Sequence, residues 1–260
     1  MEHTFVILAY KESEFLEACI QSLISQTQKS TIIIATSTPN DFIRNISNKY
    51  AISLQIRAGE PNIADDWTFA FDQASTKYLT LAHQDDIYLP NYTSLLLSKA
   101  KYYDDTLISF CNYYELRHEK IVKNNLLLFI KRILLISLRP SFVGNLRLNR
   151  WLSLAFGSPI CCPSVMFNKE KLGNWAFDSN YKVNLDWNSW IMLSKKEGRF
   201  VYQSEALMLH RIHEQSTTTE LLKENIRKKE DLEIFTKLWG KWIGKLISKF
   251  YASSYHSNEL

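Results

Sequence analysis

Apolar runs alternate with helical repeats through the N-terminal part of the chain. Four runs that are continuous or alternating in apolar residues predict β-strands, at 5–9, 31–35, 52–56 and 78–82. Between them, apolar side chains recur every three or four positions and predict helices, at about 14–26, from 42 and over 63–74. Ser13 is the predicted N-cap of the first helix. This βαβαβαβ order predicts a mostly parallel, Rossmann-like α/β sheet flanked by helices.

The pattern of the second half is less regular. Strands are predicted at 106–114, 164–167, 200–202 and 206–212, and helices at 95–103, near 185–196 and from 219 onward. Near the end, lysines at 237, 241, 245 and 249 lie four residues apart beside a row of apolar residues. Such a helix suits a membrane interface, but it could equally pack its apolar row on the rest of the protein.

Charge and cysteine content limit the possible ligands and the cellular compartment of the protein. The net charge of +4 is weak, but residues 120–151 hold seven Lys or Arg and no acidic residue. Such a surface suits phospholipid, a diphosphate-bearing substrate or nucleic acid, although no nucleic-acid-binding module accompanies it. Four cysteines without a CxxC pair indicate reduced thiols. With no signal-peptide pattern at the start, we expect a cytoplasmic protein.

Polar residues follow three of the predicted strands, at 10–12, 36–38 and 83–86. In open parallel sheets, ligands bind beyond the carboxyl ends of the strands. Asp85 and Asp86 come directly after the fourth strand, and paired carboxylates suit Mg²⁺ or Mn²⁺ bound against a diphosphate. The alternative is that the pair opens a turn and caps the next helix.

Several segments in this order resemble the family-2 glycosyltransferases of GT-A fold, over about residues 4–217. The matching segments are a strand and turn at 5–10, Ser-Leu-Ile-Ser-Gln-Thr at 22–27, the acidic signature at 81–86, Phe-Asp at 177–178, Leu-Asp-Trp at 185–187 and His-Arg-Ile-His at 210–213. The chain departs from the family pattern at His83, where an Asp is usual, at 36–41, where Asp-Asp-Gly-Ser is usual, and at Leu185, where a Glu is usual. The change at His83 bears on metal dependence.

The resemblance implies a GT-A catalytic domain over 1–217, with a donor half at about 1–115 and an acceptor half at about 155–217. A basic amphipathic helical tail at 218–260 is expected to follow. The nucleotide sugar would contact Ala9, Tyr10, Glu12, Ser37, Asp66, His83, Gln84, Asp85, Arg211 and His213. Mn²⁺ or Mg²⁺ would be bound by Asp85, Asp86 and His213.

Asp186 would be the general base that takes the acceptor proton, or else a helix N-cap. Arg211 and His213 share one face of a predicted strand, which turns His210 away, and would lie near the diphosphate or simply face water. Trp175, Trp187 and Trp190 are expected to pack in the core, with stacking on sugar rings as the alternative.

The function implied by the resemblance is inverting transfer of a hexose or deoxyhexose from a nucleoside-diphosphate sugar. UDP is the favoured nucleotide, with dTDP as the alternative. The acceptor would be a glycan or lipid-linked molecule in cell-surface polysaccharide synthesis, reached from the cytoplasm or the inner face of the membrane. A non-catalytic glycan-binding or scaffold protein of the same fold is a second hypothesis. A nucleotidyltransferase is a third, disfavoured because residues 10–13 hold no glycine.

Overall fold

The computed structural model describes residues 1–213 and 224–253. The strands are β1 His3–Leu8, β2 Thr31–Thr36, β3 Ser53–Ile56, β4 Tyr78–His83, β5 Ile87–Tyr88, β6 Thr106–Arg117, β7 Lys120–Val122, β8 Val165–Asn168 and β9 Arg199–Ile212. The helices are α1 Leu16–Ile24, α2 Asp41–Lys49, α3 Ile63–Gln73, α4 Tyr92–Tyr102, α5 Leu126–Leu134, α6 Arg147–Leu154, α7 Lys169–Leu172, α8 Leu185–Ser194, α9 Glu224–Trp239 and α10 Lys241–Ser253. None of these helices combines the length and apolar character that crossing a membrane requires.

The strands form one mixed sheet in the order β3-β2-β1-β4-β8-β6-β9-β5, with β7 paired to β6. Strands β3, β2, β1 and β4 are parallel, as the alternation of strands and helices predicts. Strand β8 then pairs antiparallel with both β4 and β6, so the second half of the chain extends the sheet in mixed orientation. Strands β9 and β5 complete this second half, β9 parallel to β6 and β5 antiparallel to β9. The α/β sheet flanked by helices is thus confirmed.

The capping side chains differ from the prediction at α1. Asn40 and Asn62 cap α2 and α3, each accepting a backbone N–H in the first turn. Ser13 is not the N-cap of α1, because that helix begins at Leu16 with Phe15 as its cap residue. Ser13 instead makes the turn before the helix, where its hydroxyl accepts the Phe15 N–H at 3.3 Å.

One strand replaces two predicted strands near the end of the sheet. The segments at 200–202 and 206–212 are parts of the single strand β9. Its pairing with β6 shifts register between Cys111 and Asn112, opposite Gln203 and Ala206. This irregularity takes up the polar residues between the two predicted segments, which is the usual effect of a bulge.

Helix α9 belongs to the core rather than lying outside it. Ile234 and Phe235 are completely buried, and the Phe235 ring packs edge-on against Trp187 at 5.1 Å between centroids. Trp187 and Trp190 are also completely buried, and each indole N–H donates to a backbone carbonyl. Packing, the expected role of these tryptophans, is confirmed.

The predicted single C-terminal helix is wrong at Gly240. This residue has a φ of 78°, in the left-handed region, and separates α9 from α10. Lys237 therefore lies on a different helix from Lys241, Lys245 and Lys249, and the row of four lysines is not continuous. The predicted helical residues 219–223 lie outside the described part of the chain.

Candidate active site

The centre of the site is a buried carboxylate between β4 and β5. Asp86 is completely buried, and its Oδ1 accepts the backbone N–H of Arg211 at 2.9 Å and lies 3.0 Å from His210 Nδ1. Its other oxygen, Oδ2, has no hydrogen-bond partner among the residues described. The helix that follows, α4, has Asn91 as its cap residue, so capping does not explain the acidic pair.

Asp85 faces a second histidine of the same C-terminal segment. Its Oδ2 lies 2.9 Å from His213 Nε2. Burial acts to raise the pKa of Asp85, but the hydrogen bond from His213 brings it below its ordinary value. Asp85 is therefore ionised at neutral pH, as a ligand for a hard cation must be.

His83, Asp85 and Asp86 each offer a ligand atom, and these atoms lie within 4.8 Å of one another. His83 Nε2 is buried without a hydrogen-bond partner among the described residues, as is Asp86 Oδ2. Burial lowers the pKa of His83, which keeps the imidazole neutral with a free lone pair. Two carboxylates and a neutral imidazole fit a divalent cation, so the histidine at position 83 is compatible with a metal site. His213 contacts this group through Asp85, and its role as a ligand stays a prediction.

Arg211 lies at the edge of this group with its guanidinium engaged. Its Nε donates to the Asp85 carbonyl at 3.0 Å, and its charge lies 4.2 Å from the centroid of the Phe15 ring. Its Nη1 contacts the carboxylate of Glu119, which lies in the turn between β6 and β7. The Arg211 side chain is 7% exposed and that of Glu119 is 74% exposed. The Arg211 guanidinium, which is predicted to bind a diphosphate, is therefore paired with Glu119.

The predicted nucleotide contacts lie at the ends of β1, β2 and β4. Tyr10 and Gln84 join the ends of β1 and β4 through two hydrogen bonds of 3.0 Å between the Tyr10 backbone and the Gln84 amide. Ser37 Oγ donates to Asp66 Oδ2 at 2.9 Å, and Asp66 also pairs with Arg57 at 2.6 Å. Tyr10 with Gln84, and Ser37 with Asp66, thus form two neighbouring groups at this edge. Ala9 is buried, and Glu12 is exposed on the loop after β1.

Asp186 lies in the first turn of α8, whose cap residue is Asn184. The predicted alternative that Asp186 is the N-cap is therefore wrong. Its Oδ1 accepts the backbone N–H of Trp187 at 2.6 Å, and burial raises the pKa of its carboxyl group. Asp86 and Asp186 both add to the effect of burial in raising the pKa of the Cys161 thiol, so both carboxylates lie within electrostatic range of that residue.

The roles of Lys131 and His210 near the site were not predicted. Lys131 donates to the Tyr113 hydroxyl at 2.7 Å and helps to hold down the pKa of Asp186. His210 was predicted to point away, yet it contacts Asp86. Burial opposes a rise in the pKa of His210, but the charge of Asp86 and their hydrogen bond raise it. Strand alternation assigns a residue to a face but does not reveal a partner on that face. One feature of the sequence does single out Lys131, because it interrupts an apolar run.

Comparisons with known proteins agree with this geometry. A family model described as Glycosyl transferase family 2 matches residues 4–172. No curated protein matches the chain. TarS 1–349 of S. aureus in complex with UDP-GlcNAc is similar in structure, with a TM-score of 0.63 and 12% identity over 92% of this chain and 64% of TarS 1–349. The chain therefore spans less than two thirds of that TarS fragment.

Two other solved structures share the fold. The mannosyltransferase PcManGT from Pyrobaculum calidifontis, in complex with GDP-Man and Mn²⁺, has a TM-score of 0.61 and 10% identity over 100% of this chain and 76% of its own. Glucosyl-3-phosphoglycerate synthase from Mycobacterium tuberculosis, in complex with Mg²⁺ and UDP, has a TM-score of 0.52 and 14% identity over 81% of this chain and 72% of its own. At these identities the likeness concerns the fold.

Proposed function

The chain belongs to glycosyl transferase family 2, and on that premise we propose that it is an inverting, metal-dependent glycosyltransferase. It moves a hexose or deoxyhexose from a nucleoside-diphosphate sugar to a glycan or lipid-linked acceptor in cell-surface polysaccharide synthesis. The observation that carries the proposal is the buried Asp86 oxygen that no described residue contacts by a hydrogen bond, beside His83 and Asp85 at the end of β4. A carboxylate is expensive to bury without a partner, which indicates that a ligand completes the site.

His83, Asp85 and Asp86 would hold Mn²⁺ or Mg²⁺. The ion would offset the charge that develops on the departing diphosphate. The surrounding residues orient these ligands, because His210 and the Arg211 backbone hold one Asp86 oxygen and His213 holds one Asp85 oxygen. With one oxygen of each carboxylate held by these neighbours, the other oxygen would bind the ion in a fixed orientation.

Asp186 acts as the general base. It accepts the proton of the acceptor hydroxyl while that oxygen bonds to the anomeric carbon and the bond from carbon to diphosphate breaks. Burial raises the pKa of Asp186, which makes its carboxylate a better proton acceptor than an exposed one. Lys131 and Arg227 oppose this rise and favour the ionised form that a base requires.

The donor contacts are those at the strand ends. The backbone of residues 9–10, the Gln84 amide and the pair of Ser37 and Asp66 offer donors and acceptors for a base and ribose. Structures of similar fold are complexes with UDP-GlcNAc and with GDP-Man, so this fold accommodates different bases. We favour a UDP-sugar, with a dTDP-sugar as the alternative, and a location in the cytoplasm or on the inner face of the cell membrane.

The variant Asp186→Asn tests the proposal. We expect a loss of transfer of about two orders of magnitude or more, because an amide cannot accept the proton. Binding of a nucleoside diphosphate with Mn²⁺, measured by thermal shift, should stay close to that of the parent protein. Asp104→Asn, which changes an exposed carboxylate outside the site, is the matched control. Transfer by Asp186→Asn at the parent rate would remove this residue from the mechanism.

A further inference from the structure

Helix α5 presents its apolar side to solvent. Leu126, Phe129, Ile130 and Ile133 are 68%, 59%, 44% and 47% exposed, and their spacing places them on one side of the helix. The side toward the protein carries Lys131, which donates to Tyr113. Leu128 is also buried on that inward side, but the four exposed apolar side chains form a larger outward row, whereas a helix that packs on a globular core in water usually turns its apolar row inward.

Helix α10 has the same outward arrangement. Trp242, Leu246 and Phe250 recur every four residues and are 86%, 57% and 71% exposed. The inward side carries Gly244, which lies against the α9 backbone at Phe235, and Tyr251, which packs on the Phe235 ring at 5.3 Å between centroids. The helix is therefore anchored by one side while a row of large apolar side chains faces out.

These two helices and α6 adjoin one another. A Cβ atom at Gly157 would lie 3.3 Å from the Tyr251 ring and 3.7 Å from the Leu134 side chain, so the ends of α5 and α10 meet there. Trp151 of α6 packs against Trp239, the last residue of α9, at 4.8 Å between ring centroids. We name the outward sides of α5, α6 and α10 the interfacial surface. Leu148 on α6 adds a side chain that is 65% exposed.

The interfacial surface is basic as well as apolar. No acidic residue occurs from 120 to 169 or from 234 to 253. Lys241, Lys245 and Lys249 are exposed and each directly precedes a member of the apolar row of α10. Arg139 and Arg147 are exposed on the other part of the surface. Apolar side chains interleaved with cations, without carboxylates, complement the headgroup region of an anionic bilayer.

We propose that the interfacial surface docks on a membrane that contains anionic lipid, with the apolar rows of α5 and α10 in the headgroup region. A second copy of the chain is a poorer occupant, because a self-complementary contact would bring the same cations together, and the described residues of α5, α6 and α10 hold no carboxylate to pair them. The docking itself does not depend on the proposed chemistry, whereas its relation to the acceptor rests on the proposed function. The proposal adds that α5, which bears Lys131 on its inward side, separates the lipid from the active site, so an acceptor in the membrane would meet the site across one helix.

Sedimentation of the full chain with vesicles tests the docking. We expect binding to vesicles of phosphatidylcholine and phosphatidylglycerol in equal parts, and at least about tenfold weaker binding to phosphatidylcholine alone. The double variant Trp242→Ser/Phe250→Ser should bind the anionic vesicles at least about tenfold more weakly than the parent. Its matched control, Ile24→Ser/Tyr102→Ser, removes exposed apolar side chains elsewhere and should bind as the parent does.

A second pair of variants separates charge from apolar contact. Lys241→Glu/Lys245→Glu/Lys249→Glu should also lose binding, whereas Lys29→Glu/Lys171→Glu/Lys195→Glu, an equal change at exposed lysines elsewhere, should retain more of it. A thermal-shift measurement with a nucleoside diphosphate on every variant shows that each is folded, independently of lipid. Failure of the parent to bind anionic vesicles would overturn the proposal. Equal losses in variants and controls would do so too, as would a dimer in light scattering that Trp242→Ser/Phe250→Ser dissociates.

Discussion

The Glu119 carboxylate places a negative charge beside the Arg211 guanidinium, which is predicted to bind a diphosphate. Its neighbour His118 has a φ of 45° and Glu119 itself a φ of 59°, so the turn between β6 and β7 holds two residues in the left-handed region. That conformation is uncommon for residues other than glycine. The turn directs the Glu119 carboxylate to Arg211, where it would compete with phosphate oxygens for the same guanidinium.

We therefore expect Glu119→Gln to strengthen binding of a nucleoside diphosphate by a factor of about two to five, equivalent to about 0.5–1 kcal/mol for a partly exposed charge. Calorimetric titration with UDP and Mn²⁺ measures the change. Glu197→Gln, at an exposed position away from Arg211, is the control. Weaker binding by Glu119→Gln would instead mean that the carboxylate orients Arg211 for the ligand.

The charge of a second residue, Asp231, affects the stability of the whole protein. It is 2% exposed, and burial raises its pKa from 3.8 to about 6, although the Asn184 amide donates to it at 2.7 Å. A raised pKa means that the folded state holds the proton more tightly than the unfolded state. The associated stability is complete below the unfolded pKa and is lost as the pH rises through about 6.

Asp231→Asn should remove this pH dependence. Between pH 4 and pH 8 the parent should lose up to about 3 kcal/mol of unfolding free energy through Asp231, and the variant should not. Urea unfolding at several pH values measures both slopes. Asp72→Asn, which removes a carboxylate on α3, is the control. Parallel pH profiles for the parent and Asp231→Asn would show that the folded protein tolerates the ionised group.

At the scale of elements, periodicity predicted the strands and helices from β1 to β4 within a few residues. Local sequence could not reveal Gly240 as a break, because glycine also occurs inside helices and the apolar row continues past it. It also could not show that β8 inserts antiparallel between β4 and β6, since the orientation of a strand depends on its partners. Local sequence also could not show that Lys131 is turned inward, because its partner Tyr113 lies eighteen residues earlier, on β6. Lys131 was therefore assigned to a basic surface segment.

The two glycines of the C-terminal helices should respond differently to alanine. At Gly240 an added Cβ meets nothing within 4 Å, so the cost is that of a left-handed backbone, about 1 kcal/mol. At Gly244 the Cβ would lie 2.6 Å from the Phe235 carbonyl oxygen, so the two helices must separate. We expect Gly244→Ala to cost about 1–3 kcal/mol despite the better helix propensity of alanine. Thermal or urea unfolding compares them, and a stabilised Gly244→Ala would contradict this close contact.

Across the whole molecule, helix α9 stabilises the segment that carries Asp186. Glu230 accepts the backbone N–H groups of Lys182, Val183 and Asn184 at 2.8–3.0 Å, directly before the helix that carries Asp186. Ile234 and Phe235 complete the core around Trp187. The predicted domain boundary near 217 stays a prediction, but helix α9 supplies contacts that the preceding residues require.

A chain that ends at residue 217 should therefore fail to unfold cooperatively, because it loses two buried apolar side chains and the carboxylate that binds three backbone N–H groups. Each large apolar loss alone costs about 2–5 kcal/mol, comparable with the stability of a typical domain. Circular dichroism during thermal unfolding, with a chain that ends at residue 253 as the control, measures this. A cooperative transition in the shorter chain would show that residues 1–217 fold independently.

The pairing of Asp86 with His210 joins residues 124 positions apart, and its hydrogen bond from Arg211 spans 125. During synthesis, the acidic end of β4 leaves the ribosome long before the strand that will cover it. The nascent protein must keep this edge open to water until almost the whole sheet has been translated. The acidic edge is consequently the last part of the sheet to close, and a stall in translation before β9 would leave a polypeptide with β1 to β4 formed and its acidic pair uncovered.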